Sequence, residues 1–188
     1  NEYWLPADAR LRTDFNITTG TRDNEIGDLV RKSGMKRVFI EAGIPTARQH
    51  IVSDLEAAKA FIEQVGYPVI AKPDIGVGAN GTVKINSESE LISFYKNVPS
   101  ELYVMEQFLC GDICTYDAVI DSHCEPLFES MCTYPPVIDS VHNDENVHFY
   151  TTPDVPEKLR NLGRKAVKAF HADSRFVHFE FINLKQDC

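Results

Sequence analysis

Apolar residues in this chain switch between helical and strand spacing several times, and the switches divide it into elements. Residues 1–26 follow neither period; they are polar, with Pro6, Gly20 and several Asn, Asp and Thr, and predict an irregular connecting arm. A helix is predicted over about 28–42, closed by Gly43 and followed by Ile44-Pro45. Ser53-Asp54-Leu55-Glu56 reads as a capping box. It opens a helix with Leu55, Ala58, Phe61, Ile62 and Val65 on one face, ended by Gly66. Ser87-Glu88-Ser89-Glu90 is a second capping box, opening a helix to about Asn97. Strands are predicted near 68–72, 82–85 and 102–106.

The second half changes character. Residues 112–121 and 125–133 alternate or run apolar around a turn at Asp121-Ser122, which predicts an antiparallel pair. Residues 134–148 are polar, carry His142 and His148, and read as a loop suited to cover a site. Pro156 stands where a helix starts, with Leu159, Leu162, Ala166, Val167 and Phe170 as its apolar stripe. Phe176 to Ile182 alternates as a final strand. The pattern predicts an α+β chain of two lobes joined near residues 106–112. Residues 27–106 form the first lobe and 107–188 the second, with 1–26 as a linker or arm. Clefts between lobes are common ligand sites.

Composition narrows the partners. The 188 residues carry a net charge of −9, which disfavours nucleic acid and anionic membranes, both polyanions. No run approaches the length of a membrane span and no signal peptide is visible, so the expected location is cytoplasmic. The five cysteines (Cys110, Cys114, Cys124, Cys132 and Cys188) lack paired spacing and are expected to be reduced thiols. The start at Asn1 and the end at Cys188 are those expected of a segment from a longer protein.

The chemistry concentrates in one segment. Tyr67-Pro68-Val69-Ile70-Ala71-Lys72-Pro73 is a stiff strand ending in a cation, followed by Gly76, Gly78 and Gly81 around Asn80. Glycines let backbone N–H groups approach phosphate oxygens with no Cβ in the way. The literal G-x-G-x-x-G is not a dinucleotide fingerprint, because Thr82-Val83-Lys84-Ile85 returns as a strand rather than opening a helix. It is not a P-loop, since Thr82 stands where that motif needs Lys. Kinase signatures do not follow it. On these residues alone the segment is either a phosphate-binding hairpin or a plain surface turn.

The order of four features decides further. Lys32 stands near a helix start, within Lys32-x-x-Met35-Lys36…Ala42-Gly43-Ile44-Pro45. Lys72 precedes the glycine hairpin, Met105-Glu106-Gln107-Phe108-Leu109-Cys110-Gly111 spans the lobe junction, and His178-Phe179-Glu180-Phe181 lies near the end. In this order they resemble the ATP-grasp superfamily over roughly residues 10–182.

The resemblance implies an ATP-grasp fold with the nucleotide cleft between two α/β lobes. It implies that Lys32 and Lys72 neutralise the triphosphate, that Gly76, Gly78, Asn80 and Gly81 form a flap over the phosphates, and that Glu106, Gln107, Phe108 and Leu109 line the adenine. It implies Glu180 as a ligand of Mg²⁺, with Mn²⁺ as an alternative. The ribose acid of the family falls at Ile113, so Asp112 is the substitute; Asp117 matches a frequent family acid. The second metal carboxylate and the Asn-x-Arg that follows Glu180 in the family are expected beyond Cys188, and with them the catalytic Arg. The implied activity is carboxylate activation as an acyl phosphate, ADP release, and attack by an amine or other nucleophile, with a homodimer allowed. A non-catalytic nucleotide-binding module and a phosphotransferase on the same fold are the alternatives.

Overall fold

The computed structural model describes residues 2–76, 80–97, 101–134, 146 and 148–184. Its elements in order are α1 (Leu5–Asp14), α2 (Gly27–Val30), α3 (Lys32–Glu41), β1 (Gln49–Ile51), α4 (Leu55–Val65), β2 (Val69–Pro73), β3 (Val83–Ile85), α5 (Glu88–Asn97), β4 (Tyr103–Gln107), β5 (Gly111–Ile120), β6 (Pro126–Tyr134), β7 (Tyr150–Thr152), α6 (Glu157–Ala169) and β8 (Arg175–Leu184). They build two four-stranded sheets, ordered β1-β4-β2-β3 and β7-β6-β5-β8. Every strand pair is antiparallel.

Strand alternation gives each sheet one apolar face and one face for chemistry. In the first sheet Val69, Ala71, Ile85, Tyr103 and Met105 pack on Ala58, Phe61 and Ile62 of α4 and on Leu91 and Phe94 of α5. Each fully buried Leu or Val of such a core contributes about 1.5–3 kcal/mol. In the second sheet Tyr116, Ala118 and Ile120 of β5 pack on Leu159, Ala166 and Val167 of α6. Gly163 lets that helix come close: a Cβ there would lie 2.1 Å from the Tyr116 ring.

Helix α3 carries Lys32 and Lys36 but packs on the second core, through Met35, Val38 and Phe39. Phe39 meets Phe170 edge-on at 5.2 Å and Phe179 at 6.4 Å. Its N-terminus is tied to the first sheet instead. The Lys32 N–H donates to the Asp74 carbonyl at 2.8 Å and the Ser33 N–H to the Asp74 carboxylate at 2.8 Å, directly after β2. One helix therefore touches both sheets.

Four expectations need correction. The arm at 1–26 is not irregular: a 3₁₀ turn at Glu2–Trp4 leads into α1. That helix rests on local pairs such as Asp8–Arg12 at 2.8 Å, not on an apolar stripe, so periodicity could not reveal it. Pro6 sits in its first turn, where no N–H is needed.

The helix over 28–42 is broken at Arg31, which is extended (φ −98°, ψ 127°). The Asp74 bonds start α3 afresh there, and Gly34 lets α3 turn close against α2, since a Cβ there would lie 2.9 Å from Asp28 Cα. The first cap lies at Asp54, whose carboxylate accepts from the Ala57 N–H at 2.8 Å, one residue beyond Ser53. The fourth correction concerns the thiols: Cys114, Cys124 and Cys132 are free, but Cys110 is disulfide-bonded. Spacing alone does not report which cysteines a fold brings together. The short strands β1 and β7 were too brief to carry a readable alternation.

Candidate functional site

On β2 and β4, Ile70 lies opposite Glu106 and Lys72 opposite Val104, so Lys72 and Glu106 share the face turned away from α4 and α5. Their side chains meet at 2.5 Å. The other oxygen of Glu106 binds the Lys36 ammonium at 2.9 Å and accepts from the Gln49 amide at 2.9 Å. Burial pushes the Glu106 carboxyl up, but Lys72 and Lys36 together outweigh it and hold it below the usual carboxylate range. Lys36 is itself fixed, donating to Thr46 Oγ1 at 2.6 Å and to the Ala47 carbonyl at 2.8 Å.

The glycine hairpin is anchored at both described ends. Lys32 donates through Nζ to the Gly76 carbonyl at 3.0 Å, which brings the first family lysine to the base of the loop. At the far end Gly81, at φ +72°, sits against Pro73 and accepts from the Tyr103 hydroxyl at 3.1 Å. Asn80 is exposed beside it. Gly78 lies outside the described residues, as does most of the 134–148 loop with His142.

At the junction, the Gln107 N–H already donates to the Arg48 carbonyl at 2.9 Å, so it is engaged within the first sheet. Phe108 leaves β4 with the Lys84 ammonium 4.7 Å from its ring centroid, a cation–π contact. Leu109 beside it is half-buried. Phe108 and Leu109 are thus an apolar pair directly after β4, at the junction of the two sheets.

The second sheet carries a polar face opposite its apolar one. In register, Thr115 lies opposite Glu180, Asp117 opposite His178 and Ile113 opposite Ile182. Alternation puts all of these on the face away from α6. His178 Nδ1 is 2.6 Å from Asp117, and its Nε2 lies 3.9 Å from Glu180. Glu180 and Asp117 outweigh desolvation and hold the imidazole up at about 9, so it is a cation between two carboxylates. The Tyr134 hydroxyl donates to Glu180, and Thr115 to Asp117. His178 first, then Tyr134 and Lys72, keep the Glu180 carboxyl low against its desolvation.

The structure joins Lys72, Lys36 and Glu106 in one ion cluster, joins Lys32 to Gly76 at the hairpin base, and sets Glu180 with His178 and Tyr134 on the second sheet. It does not bring in Asp112, whose place in the alternation is with Cys114 and Tyr116 on the helix side, while Ile113 holds the opposite side. Sequence reasoning passed over Lys36, Gln49 and Tyr134. For Lys36 a signal existed: it stands one helical turn after Lys32 and shares its face. The partners Gln49 and Tyr134 depend on long-range register that local patterns do not carry.

Among the described residues no group of three or more His, Cys, Asp and Glu is arranged to hold a metal by protein ligands alone. Magnesium is commonly held by one or two carboxylates with substrate phosphates and water, and an ionised, half-exposed Glu180 fits that mode. A groove of about 320 Å³ between α3 and α6, lined by Asp28, Arg37, Val38, Glu41, Ala42 and Ala169, lies on another face of α3 from Lys36 and holds none of these groups.

The two four-stranded antiparallel sheets, each covered on one face by helices, make the ATP-grasp fold of the solved structures that the chain resembles. The chain has the fold of the ATP-grasp superfamily and resembles its members in sequence over part of its length. Residues 31–109 match the family model of the carbamoyl-phosphate synthase L chain, ATP binding domain. Over 108 residues the chain is 34% identical to the 2-oxoglutarate carboxylase small subunit of Hydrogenobacter thermophilus, covering 56% of this chain and 22% of that protein. The solved biotin carboxylase domain dimer of that enzyme, in complex with MgADP, ADP and bicarbonate, superposes with a TM-score of 0.71. It is 23% identical and covers 99% of this chain and 43% of its own. An L-amino acid ligase from Bacillus licheniformis gives a TM-score of 0.75 at 20% identity, covering 98% of this chain and 44% of its own. The chain thus spans less than half the length of each of these relatives. Among the described residues no helix is long and apolar enough to cross a membrane.

Proposed function

We propose that this chain is the ATP- and Mg²⁺-binding part of an ADP-forming ligase that activates a small carboxylate as an acyl phosphate for attack by an amine or another nucleophile. The observation that carries the reading is the Lys36–Glu106–Lys72 ion cluster on the open face of the first sheet, with Lys32 holding the base of the glycine hairpin. In this reading residues 27–106 supply the glycine-hairpin lobe and 107–188 the second lobe, with α3 serving both. The named relatives support the class. One of their structures holds bicarbonate and another acts as an amino acid ligase, so the carboxylate is proposed only by class.

The assigned roles follow from charge and position. Lys32 and Lys72 bind phosphate oxygens as compact cations. Gly76, Gly78, Asn80 and Gly81 bring backbone N–H groups over them. Phe108 and Leu109 wall the adenine, and backbone groups after Gln107 read its edge. Glu180, oriented by Tyr134, is the carboxylate for Mg²⁺, with Mn²⁺ as substitute; the bound ion neutralises charge on the phosphates.

An oxygen of the substrate carboxylate attacks the γ-phosphorus, forming the new P–O bond as the bond to the β,γ-bridging oxygen breaks and ADP departs with its electron pair. The nucleophile then adds to the acyl carbon, phosphate leaves, and the nucleophile's proton passes to solvent. Positioning and charge neutralisation are the protein's share of this catalysis.

The test is titration calorimetry with ATP, with and without Mg²⁺, followed by ADP release across carboxylate and amine pairs in the intact protein. Hydroxylamine trapping separates an acyl phosphate from a phosphate ester. Mg²⁺-dependent ATP binding with trapped hydroxamate supports the reading. Binding without turnover by any pair favours a non-catalytic nucleotide module, a reading to which Ile113 at the ribose-acid position gives some support. A phosphate ester product makes it a phosphotransferase.

A further inference from the structure

Three ionic groups meet in the first sheet: two ammoniums, Lys36 and Lys72, on the single carboxylate of Glu106. Resting on the nucleotide reading above, we propose that Lys36 is a positioning residue for ATP that never touches the nucleotide: by sharing Glu106, it leaves the positive charge of Lys72 uncancelled and aimed at the phosphates.

The geometry separates the two lysines by task. An ammonium has three donor protons. Those of Lys36 are all accounted for, by Thr46 Oγ1 at 2.6 Å, the Ala47 carbonyl at 2.8 Å and Glu106 at 2.9 Å. Its side chain is 11% exposed, against 26% for Lys72. Lys36 is locked, whereas Lys72 has one ion-pair partner among the described residues and keeps donors for another. A lone Lys72–Glu106 pair would be neutral, and a neutral pair attracts a triphosphate weakly. With Lys36 present, the group of three carries one net positive charge. Glu106 is also steadied by Gln49 at 2.9 Å, so its carboxylate presents a fixed edge that orients Lys72.

Position in the fold adds a second consequence. Helix α3 carries Lys36 but is anchored in the second core by Phe39 against Phe170 and Phe179. The Lys36–Glu106 bond therefore ties the element rooted in the second sheet to β4 of the first. The tie holds Glu106, and with it Lys72, in place while the remaining Lys72 donors face the phosphates.

The experiment compares ATP with adenosine, which lacks phosphates, as calorimetric ligands of the intact protein and of Lys36→Met, Lys36→Arg and the double variant Lys36→Met/Glu106→Gln. Loss of one net charge beside the phosphates is expected to weaken ATP about tenfold and adenosine less than about twofold. Lys36→Arg keeps the charge and should restore ATP binding. The double variant again has one net positive charge and should recover most of the ATP affinity without the tie to α3. A merely structural lysine would lower both ligands together, and the double variant would be worse than the single; that pattern overturns the inference. If Lys36→Met does not fold, the Lys36→Arg and double-variant ATP-to-adenosine ratios decide it alone. Failure of the unmodified protein to bind ATP would overturn the nucleotide reading and this inference with it. ATP binding with an unchanged ratio in the variants would overturn only the inference.

Discussion

The two sheets have the same plan and opposite charge. Each has four antiparallel strands, buries one face under helices, and carries charged groups at alternate positions of the other face. The first sheet presents Lys72 and Lys84 with Glu106 held between lysines; the second presents Asp117 and Glu180 with His178 between them. One face is a carboxylate clasped by two cations, the other a cation clasped by two carboxylates. A magnesium-bound triphosphate needs both, cations for the phosphate oxygens and acid for the metal. The lesson is that the strand period places the groups and the local ion pairing sets which sign each face offers.

The sharpest way to break the comparison is to remove one key group from each face. Lys72→Ala should weaken ATP about 100-fold with or without Mg²⁺, since a charge-assisted phosphate contact is lost from a partly buried site. Glu180→Gln should leave metal-free ATP binding near its original strength and remove the gain from added Mg²⁺. Calorimetry at several Mg²⁺ concentrations reads both. If the two variants gave the same metal profile, the division of labour between the faces would be wrong.

Next in size is the stability held in the first face. Glu106→Gln leaves Lys36 and Lys72 without their shared anion, and a broken buried pair costs about 3 kcal/mol, measured by urea unfolding. The pH dependence has a fixed sign. The Glu106 carboxyl is held below its usual range in the folded chain, so its contribution is complete above the unfolded carboxyl pKa. It is lost as pH falls through the lower, folded value. The original protein should therefore lose stability below about pH 4.5 more steeply than Glu106→Gln does. Equal acid limbs would show that Lys36 and Lys72 do not depress this carboxyl.

The second lobe is more sensitive to volume than to charge. Gly163→Ala drives a methyl into the Tyr116 ring, whose Cγ would lie 2.1 Å from the new Cβ. Overpacking of this kind costs about 2 kcal/mol, seen as a lower urea midpoint. Tyr116 also donates to Glu129 at 2.7 Å, and Glu129 binds Arg164 at 2.6 Å, so the ring is held from both ends and yields little. Metal-free ATP affinity per folded molecule should stay within about twofold, because Tyr116 faces the helix side and not the charged face.

Much of this was legible in the residues. The strand ending at Lys72, the hairpin glycines, the junction strand and the alternation through His178 and Glu180 are local patterns, and local patterns carry their period in the sequence. What was not legible depends on distant partners. The break at Arg31 arises because Asp74, 43 positions away in the chain, caps α3. Lys36 meets Glu106 across 70 positions, through the register of β1 and β4 around Gln49. Asp112 looked like a ribose acid by its neighbour's family position, yet one step along a strand reverses the face. Helix α1 escaped notice because its exposed ion pairs leave no apolar stripe.

The smallest expected effect tests a point on which reading and structure part by a single residue. Ser53-x-x-Glu56 has the spacing of a capping box, but Ser53 lies one place ahead of the true cap. Asp54 is extended (φ −102°, ψ 166°), and its carboxylate takes the Ala57 N–H at 2.8 Å. An acid at this position satisfies a donor that would otherwise lose its water when α4 packs, and it also complements the helix dipole. Asp54→Ala should therefore cost about 1 kcal/mol, while Ser53→Ala stays within about 0.5 kcal/mol. Helix α4 packs on the apolar face of the first sheet, so neither change should alter ATP binding or its Mg²⁺ dependence. Denaturant midpoints for the two variants, measured side by side, decide it: equal shifts would move the cap back to Ser53, and a shift in nucleotide affinity would mean that α4 and the lysine face are coupled through the sheet.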